Sequence, residues 1–111
     1  MAIETLDSIE LHDARIESVK VDFPTKSVTI QIAYYPNEER RQREQATVNF
    51  EDVDSISQIA DFLRLQDNYT AGNVNYWRPI DGPGVTYIYL VDGCIAISAK
   101  AVRFDPTKKW S

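Results

Sequence analysis

The feature that most constrains this chain is Asp92-Gly93, set between two apolar runs at 85–91 and 94–104. Asp-Gly between such runs reads as a type I′ hairpin turn, because both central residues need positive φ. That turn places Val91 opposite Cys94, Leu90 opposite Ile95, Tyr89 opposite Ala96, Ile88 opposite Ile97 and Tyr87 opposite Ser98. One face of the hairpin is then aliphatic: Ile88, Leu90, Ile95, Ile97 and Ala99. The other carries Tyr87, Tyr89, Cys94, Ala96, Ser98 and Lys100.

Three strands open the chain. Val19, Val21 and Phe23 alternate with Ser18, Lys20 and Asp22, and Val28, Ile30 and Ile32 alternate with Thr29 and Gln31. A period of two marks half-buried strands. A loop over Pro24-Thr25-Lys26-Ser27 pairs Phe23 with Val28, Val21 with Ile30 and Val19 with Ile32. Pro36-Asn37 ends the second strand, and 38–45, rich in Arg and Glu, reads as a solvated hairpin tip. Ala46, Val48 and Phe50 then mark a third strand.

A helix is expected next. Ile56, Ile59, Ala60 and Leu63 fall at helical spacing and form one apolar stripe flanked by Phe62. Ser55 and Gln58 form a capping box, with Asp52 and Asp54 at the positive end of the dipole. A further strand is expected over 73–78, and a Pro/Gly-rich loop over 79–84. The reading is an α+β fold. It has a single antiparallel, meander-like sheet of about six strands in the order β-β-β-α-β-β-β, or with one strand fewer, and the helix packs on the aliphatic face.

With 111 residues the chain has room for one domain, spanning 1–111, with a core over about 8–105 and a tail over 106–111. Its net charge is −5. That argues against a nucleic-acid binder, which needs a basic footprint on phosphate. The acidity is concentrated in 1–23 and 46–75, while 76–111 is net basic. Solubility alone accounts for such a balance, and attraction to a basic protein partner is the functional alternative. The start has early acids and no apolar run, unlike a signal peptide. No stretch approaches the roughly 18 apolar residues of a membrane span. A lone Cys fits a reducing, cytoplasmic setting, so Asn68-Tyr69-Thr70 is read as a chance glycosylation pattern.

Catalytic material is scarce. One His and one Cys cannot build a Cys/His zinc site, and no cofactor motif occurs. His12-Asp13 is a possible acid–base pair, but neighbours on an extended strand point to opposite faces, so a structural role is favoured. Cys94 is read as a semi-buried structural thiol. Glu51-Asp52-Val53-Asp54 lacks the ligand spacing of a calcium loop, and capping explains its acids. The Arg40-Arg41-Gln42-Arg43 run is mixed with Glu and reads as solvated. The aromatic residues carry more. Tyr35, Tyr76, Trp77, Tyr87 and Tyr89 are candidate interface anchors, since Tyr and Trp give large contact area with few rotors. Lys100 shares the hairpin face of Tyr87 and Tyr89, and Lys20 is a candidate for the same face. Core packing is the alternative for several of these rings.

The segment Leu11-His12-Asp13-Ala14-Arg15-Ile16-Glu17-Ser18-Val19 resembles the opening strand of a loose group of small bacterial proteins. Their mid-chain Phe-x-x-Val corresponds to Phe50–Val53, and their closing hairpin to Asp92-Gly93. Some of that group resemble immunity proteins of bacterial toxin systems. The resemblance implies a non-enzymatic, cytoplasmic protein-binding domain, in its sharper form an immunity-like protein that neutralises a basic toxin. It brings no catalytic residues. Two alternatives stand beside it. One is a small-molecule-binding or enzymatic domain with a pocket between helix and sheet, using Tyr87, Cys94 and His12. The other is a homodimer formed through sheet edges or the Tyr face.

Overall fold

In the computed structural model, the described residues are 6–36, 42–60, 74–91 and 93–106. They form eight strands: β1 (Arg15–Asp22), β2 (Ser27–Tyr34), β3 (Glu44–Glu51), β4 (Ser55–Ala60), β5 (Val74–Arg78), β6 (Gly84–Leu90), β7 (Gly93–Ala99) and β8 (Ala101–Asp105). A single 3-10 turn, Leu6–Ser8, precedes them. Two antiparallel four-stranded sheets result, ordered β1-β2-β3-β8 and β4-β7-β6-β5. The α+β reading with one sheet is therefore corrected: among the described residues the fold is two sheets and no α-helix.

The expected helix is where the readings part. Ser55–Ala60 is a strand, paired residue for residue with β7 from Ser55 opposite Ser98 to Ala60 opposite Gly93. Residues three apart share a face in a helix but not in a strand, so the local spacing of Ile56 and Ile59 favours a helix and the pairing with β7 overrides it. Leu63 and Phe62, the rest of that stripe, lie outside the described residues. The aliphatic face expected to take a helix takes the other sheet instead. Val28, Ile30, Ile32, Val48 and Phe50 from the first sheet share one core with Ile88, Ile95 and Ile97 from the second.

The sheets are joined at a corner. β3 runs into β4 through Asp52-Val53-Asp54, and β7 runs into β8 through Lys100 alone. Between the pairs Glu51–Ala101 and Ser55–Ser98, three residues thus oppose two, Ala99 and Lys100, a bulge that turns a long ladder from one sheet into the next. Asp52 adopts a φ of 51° there. Three hydrogen bonds hold the bend: Val53 N to Lys26 O (2.8 Å), Asp54 N to Ser98 O (2.7 Å) and Lys100 N to Glu51 O (3.1 Å). The acids read as helix caps are corner residues. The expected single run 94–104 is two strands in different sheets.

Both hairpins keep the expected faces and shift register by two. Val21 pairs with Val28 and Val19 with Ile30, leaving Phe23 in the turn, 83% exposed. Leu90 pairs with Gly93, Tyr89 with Cys94 and Ile88 with Ile95. Gly93 is thus a strand residue, not half of the turn.

Candidate interaction face

A bulge creates the aromatic face. Between Val74 and Tyr76 the β5–β6 register shifts, so Val74 and Trp77 are both buried while Tyr76 is exposed. Tyr76 lies opposite Tyr89 and Arg78 opposite Tyr87. The Tyr76 and Tyr89 rings stack with centroids 4.6 Å apart at 26°, and Tyr87 stacks on Tyr89 at 5.9 Å and 13°. This is a three-ring ladder on the outer face of the second sheet. Tyr76 is 48% exposed and Tyr87 38%, with half-buried Tyr89 between them. Beside the ladder the same face falls to small side chains. Cys94 and Ala96 pair with Tyr89 and Tyr87, and Ser57 and Ser55 pair with Ala96 and Ser98. The result is an aromatic ridge with Cys94, Ala96, Ser55 and Ser57 beside it.

The other candidates are dispersed. Trp77 is no surface anchor: it is 8% exposed, and its indole Nε1 donates to the Ile9 carbonyl at 2.9 Å. That bond ties the N-terminal segment across the core, where Leu6, Leu11 and Ala14 are also buried. Tyr35 follows β2 and lies under the Arg43 guanidinium, 4.7 Å from its ring centroid, a cation–π contact. Arg43 Nε and Nη2 also donate to the Asp13 carbonyl at 3.2 and 3.1 Å. Lys100 is exposed at the corner, beyond the strand residues that flank the ladder. Lys20 pairs with Thr29 in the first sheet, away from the tyrosines. Tyr34 is a core residue, edge-on to Phe104 at 5.1 Å.

His12 and Asp13 occupy a turn, not a strand, with Asp13 at a φ of 65°. Their side chains therefore meet, His12 Nε2 lying 3.5 Å from Asp13 Oδ2. Glu10 Oε1 accepts a bond from His12 N at 2.8 Å. Cys94, by contrast, is on the outer face of the second sheet opposite Tyr89. Among the described residues no three His, Cys, Asp or Glu side chains converge as a metal site would require. Glu51 pairs with Arg103 at 2.9 Å, a surface pair of small energetic weight.

Two depressions flank these features. One, of about 360 Å³, is lined by Ile9, Glu10, Tyr76, Trp77, Arg78 and Pro79 and adjoins the ladder. The other, of about 290 Å³, lies at the corner and includes Val21, Phe23, Val28, Val53 and Ile56. The pocket expected between helix and sheet has no helix over 55–60 to roof it. Among the described residues, no helix is long and apolar enough to cross a membrane. Comparison of the chain with protein-family models, curated proteins and solved structures finds no match in any of the three.

Proposed function

We propose that this chain is a non-enzymatic, cytoplasmic protein-binding domain whose recognition surface is the ladder of Tyr76, Tyr89 and Tyr87. The observation that carries the reading is the ladder itself. Three stacked rings stand on the solvent face of a sheet, two of them well exposed, although the core has no need of them. Stacking fixes each ring against its neighbour, so little rotamer entropy remains to be lost on binding. The exposed parts of Tyr76 and Tyr87 offer a partner apolar ring surface, and a tyrosine hydroxyl adds hydrogen-bonding capacity. Arg78 and Glu10 put both signs of charge beside the ridge.

An immunity-like role is the sharper form of this reading. It is supported by the resemblance of the Leu11–Val19 segment and by the net charge of −5, which speeds encounter with a basic toxin domain. The test is affinity capture from the native lysate with the wild type and with Tyr76→Ser/Tyr87→Ser. Each central tyrosine is worth about 2 kcal/mol at a hot spot, so the double variant is expected to weaken a captured partner by roughly a hundredfold or more. Equal capture by both proteins, with the variant folded by circular dichroism, would overturn the assignment.

A further inference from the structure

Where the N-terminal segment meets β5, two opposite charges line one hollow without pairing. Val74 N donates to Ala14 O at 2.7 Å and Asp13 N donates to Val74 O at 2.8 Å. Trp77 Nε1 donates to Ile9 O at 2.9 Å. The depression of about 360 Å³ lies at this seam, lined by Ile9 and Glu10 of the segment and by Tyr76, Trp77, Arg78 and Pro79 of β5 and its end. Glu10 Oε1 accepts a bond from His12 N. Among the described residues, no ion pair or hydrogen bond engages the Arg78 guanidinium. The neighbouring charges lie elsewhere: His12 Nε2 and Asp13 Oδ2 are 3.5 Å from each other, and exposed Asp81 is not part of the lining. The lining therefore carries one acid and one base in a chain of net charge −5. Tyr89, on β6, covers one face of Tyr76, whereas Ile9 and Glu10 approach from the other side of β5. The side of Tyr76 turned away from the ladder is the one that the depression offers.

We propose that this depression binds a small zwitterion, an α-amino acid with a flat apolar side chain. Its carboxylate is held by Arg78, its ammonium by Glu10, and its side chain lies against Tyr76. A simple anion drawn to Arg78 also meets Glu10, and a simple cation drawn to Glu10 also meets Arg78. A ligand with both charges makes a charge-assisted hydrogen bond to each and meets neither repulsion. The volume is at the small end of the roughly 300–1,000 Å³ of ligand sites, which suits a single amino acid better than a peptide. A planar side chain there adds one more ring to the end of the stack. The Trp77–Ile9 bond joins the two parts of the lining before any ligand arrives, so little ordering remains to be done on binding. The site shares Tyr76 with the ladder but does not depend on the ladder capturing a protein.

The test is a two-dimensional amide NMR titration of the full chain with free L-phenylalanine, with no partner protein present. Saturable shifts are expected at Ile9, Glu10, Tyr76, Arg78 and the Trp77 indole N–H, with a Kd of about 1 mM or tighter. Two further probes each lack one charge: 3-phenylpropionate has no ammonium and phenethylamine has no carboxylate. Each is expected to bind at least about tenfold more weakly than L-phenylalanine. Glu10 and Arg78 are exposed, so substitution leaves the fold intact, as dispersed spectra would show. Glu10→Gln should remove the advantage of L-phenylalanine over 3-phenylpropionate, and Arg78→Gln its advantage over phenethylamine. Arg103→Gln removes a cation from the first sheet, where Arg103 pairs with Glu51, and should leave the affinity unchanged. Absence of saturable shifts at these residues up to about 10 mM would overturn the proposal. So would equal binding of the three probes, or an Arg103→Gln loss as large as that of Arg78→Gln, which would assign the effect to overall charge.

Discussion

Two aromatic side chains change places relative to what their sequence context implies. Trp77, in line with the exposed tyrosines, is buried with its indole N–H committed to the Ile9 carbonyl. Phe23, apparently the last inward residue of an alternating strand, projects from a turn. Their substitution should therefore have opposite consequences. Trp77→Phe keeps most of the ring but leaves a carbonyl without its donor and a space beside it. A loss of about 1–3 kcal/mol is expected, or a fall in Tm of roughly 4 °C or more for a domain of this size. Phe23→Ser should stay within about 0.5 kcal/mol of wild type. Thermal denaturation of both variants checks the pair, and a larger loss for Phe23→Ser than for Trp77→Phe would contradict the burial argument.

At the level of elements, the sequence shows which face of each strand is buried more firmly than where each strand stops. In both hairpins the inward residues are as expected and the register is displaced by two. A two-residue slip leaves every side chain on its own face, so alternation cannot detect it; only a one-residue slip is forbidden by the pattern. Cross-strand nuclear Overhauser contacts are expected between the backbones of Val21 and Val28 and of Tyr89 and Cys94. Contacts joining Phe23 directly to Val28, or Tyr89 to Ala96, would restore the register read from turn chemistry. The missed second sheet has a related cause. Asp52, Asp54, Ser55 and Gln58 satisfy local rules for a helix start, and nothing local reveals that Ser98 and Ile97 stand ready to pair with Ser55 and Ile56. The bulge that turns Tyr76 outward and Trp77 inward is equally invisible, because it depends on β6. The tyrosines of β6 were legible as outward-facing since alternation within one strand decides them.

The whole molecule follows from one bent ladder. β3 and β4 form one side, β8 and β7 the other, and the corner at Asp52-Val53-Asp54 and Lys100 folds that ladder so that the inner faces of both sheets meet. The pairs that define it are distant in sequence: Thr47 with Asp105, Phe50 with Val102, Ile56 with Ile97. The β1–β2, β2–β3 and β6–β7 pairings are local, so they close at small entropic cost, but none buries its apolar face until the long ladder brings the sheets together. The cost of closing that loop must be met before Phe50 and Ile97 reach a common core. Folding should therefore be slow for a chain of this length, with a main phase in about milliseconds to seconds, as for other sheet proteins dominated by non-local pairing. Stopped-flow refolding of a Trp110→Phe variant, in which Trp77 is the single tryptophan, checks this directly, since that ring is buried only when the N-terminal segment and the second sheet have come together. Complete recovery of the buried signal in microseconds would mean that local contacts suffice to form the core, and the bent ladder could not then be what organises the fold.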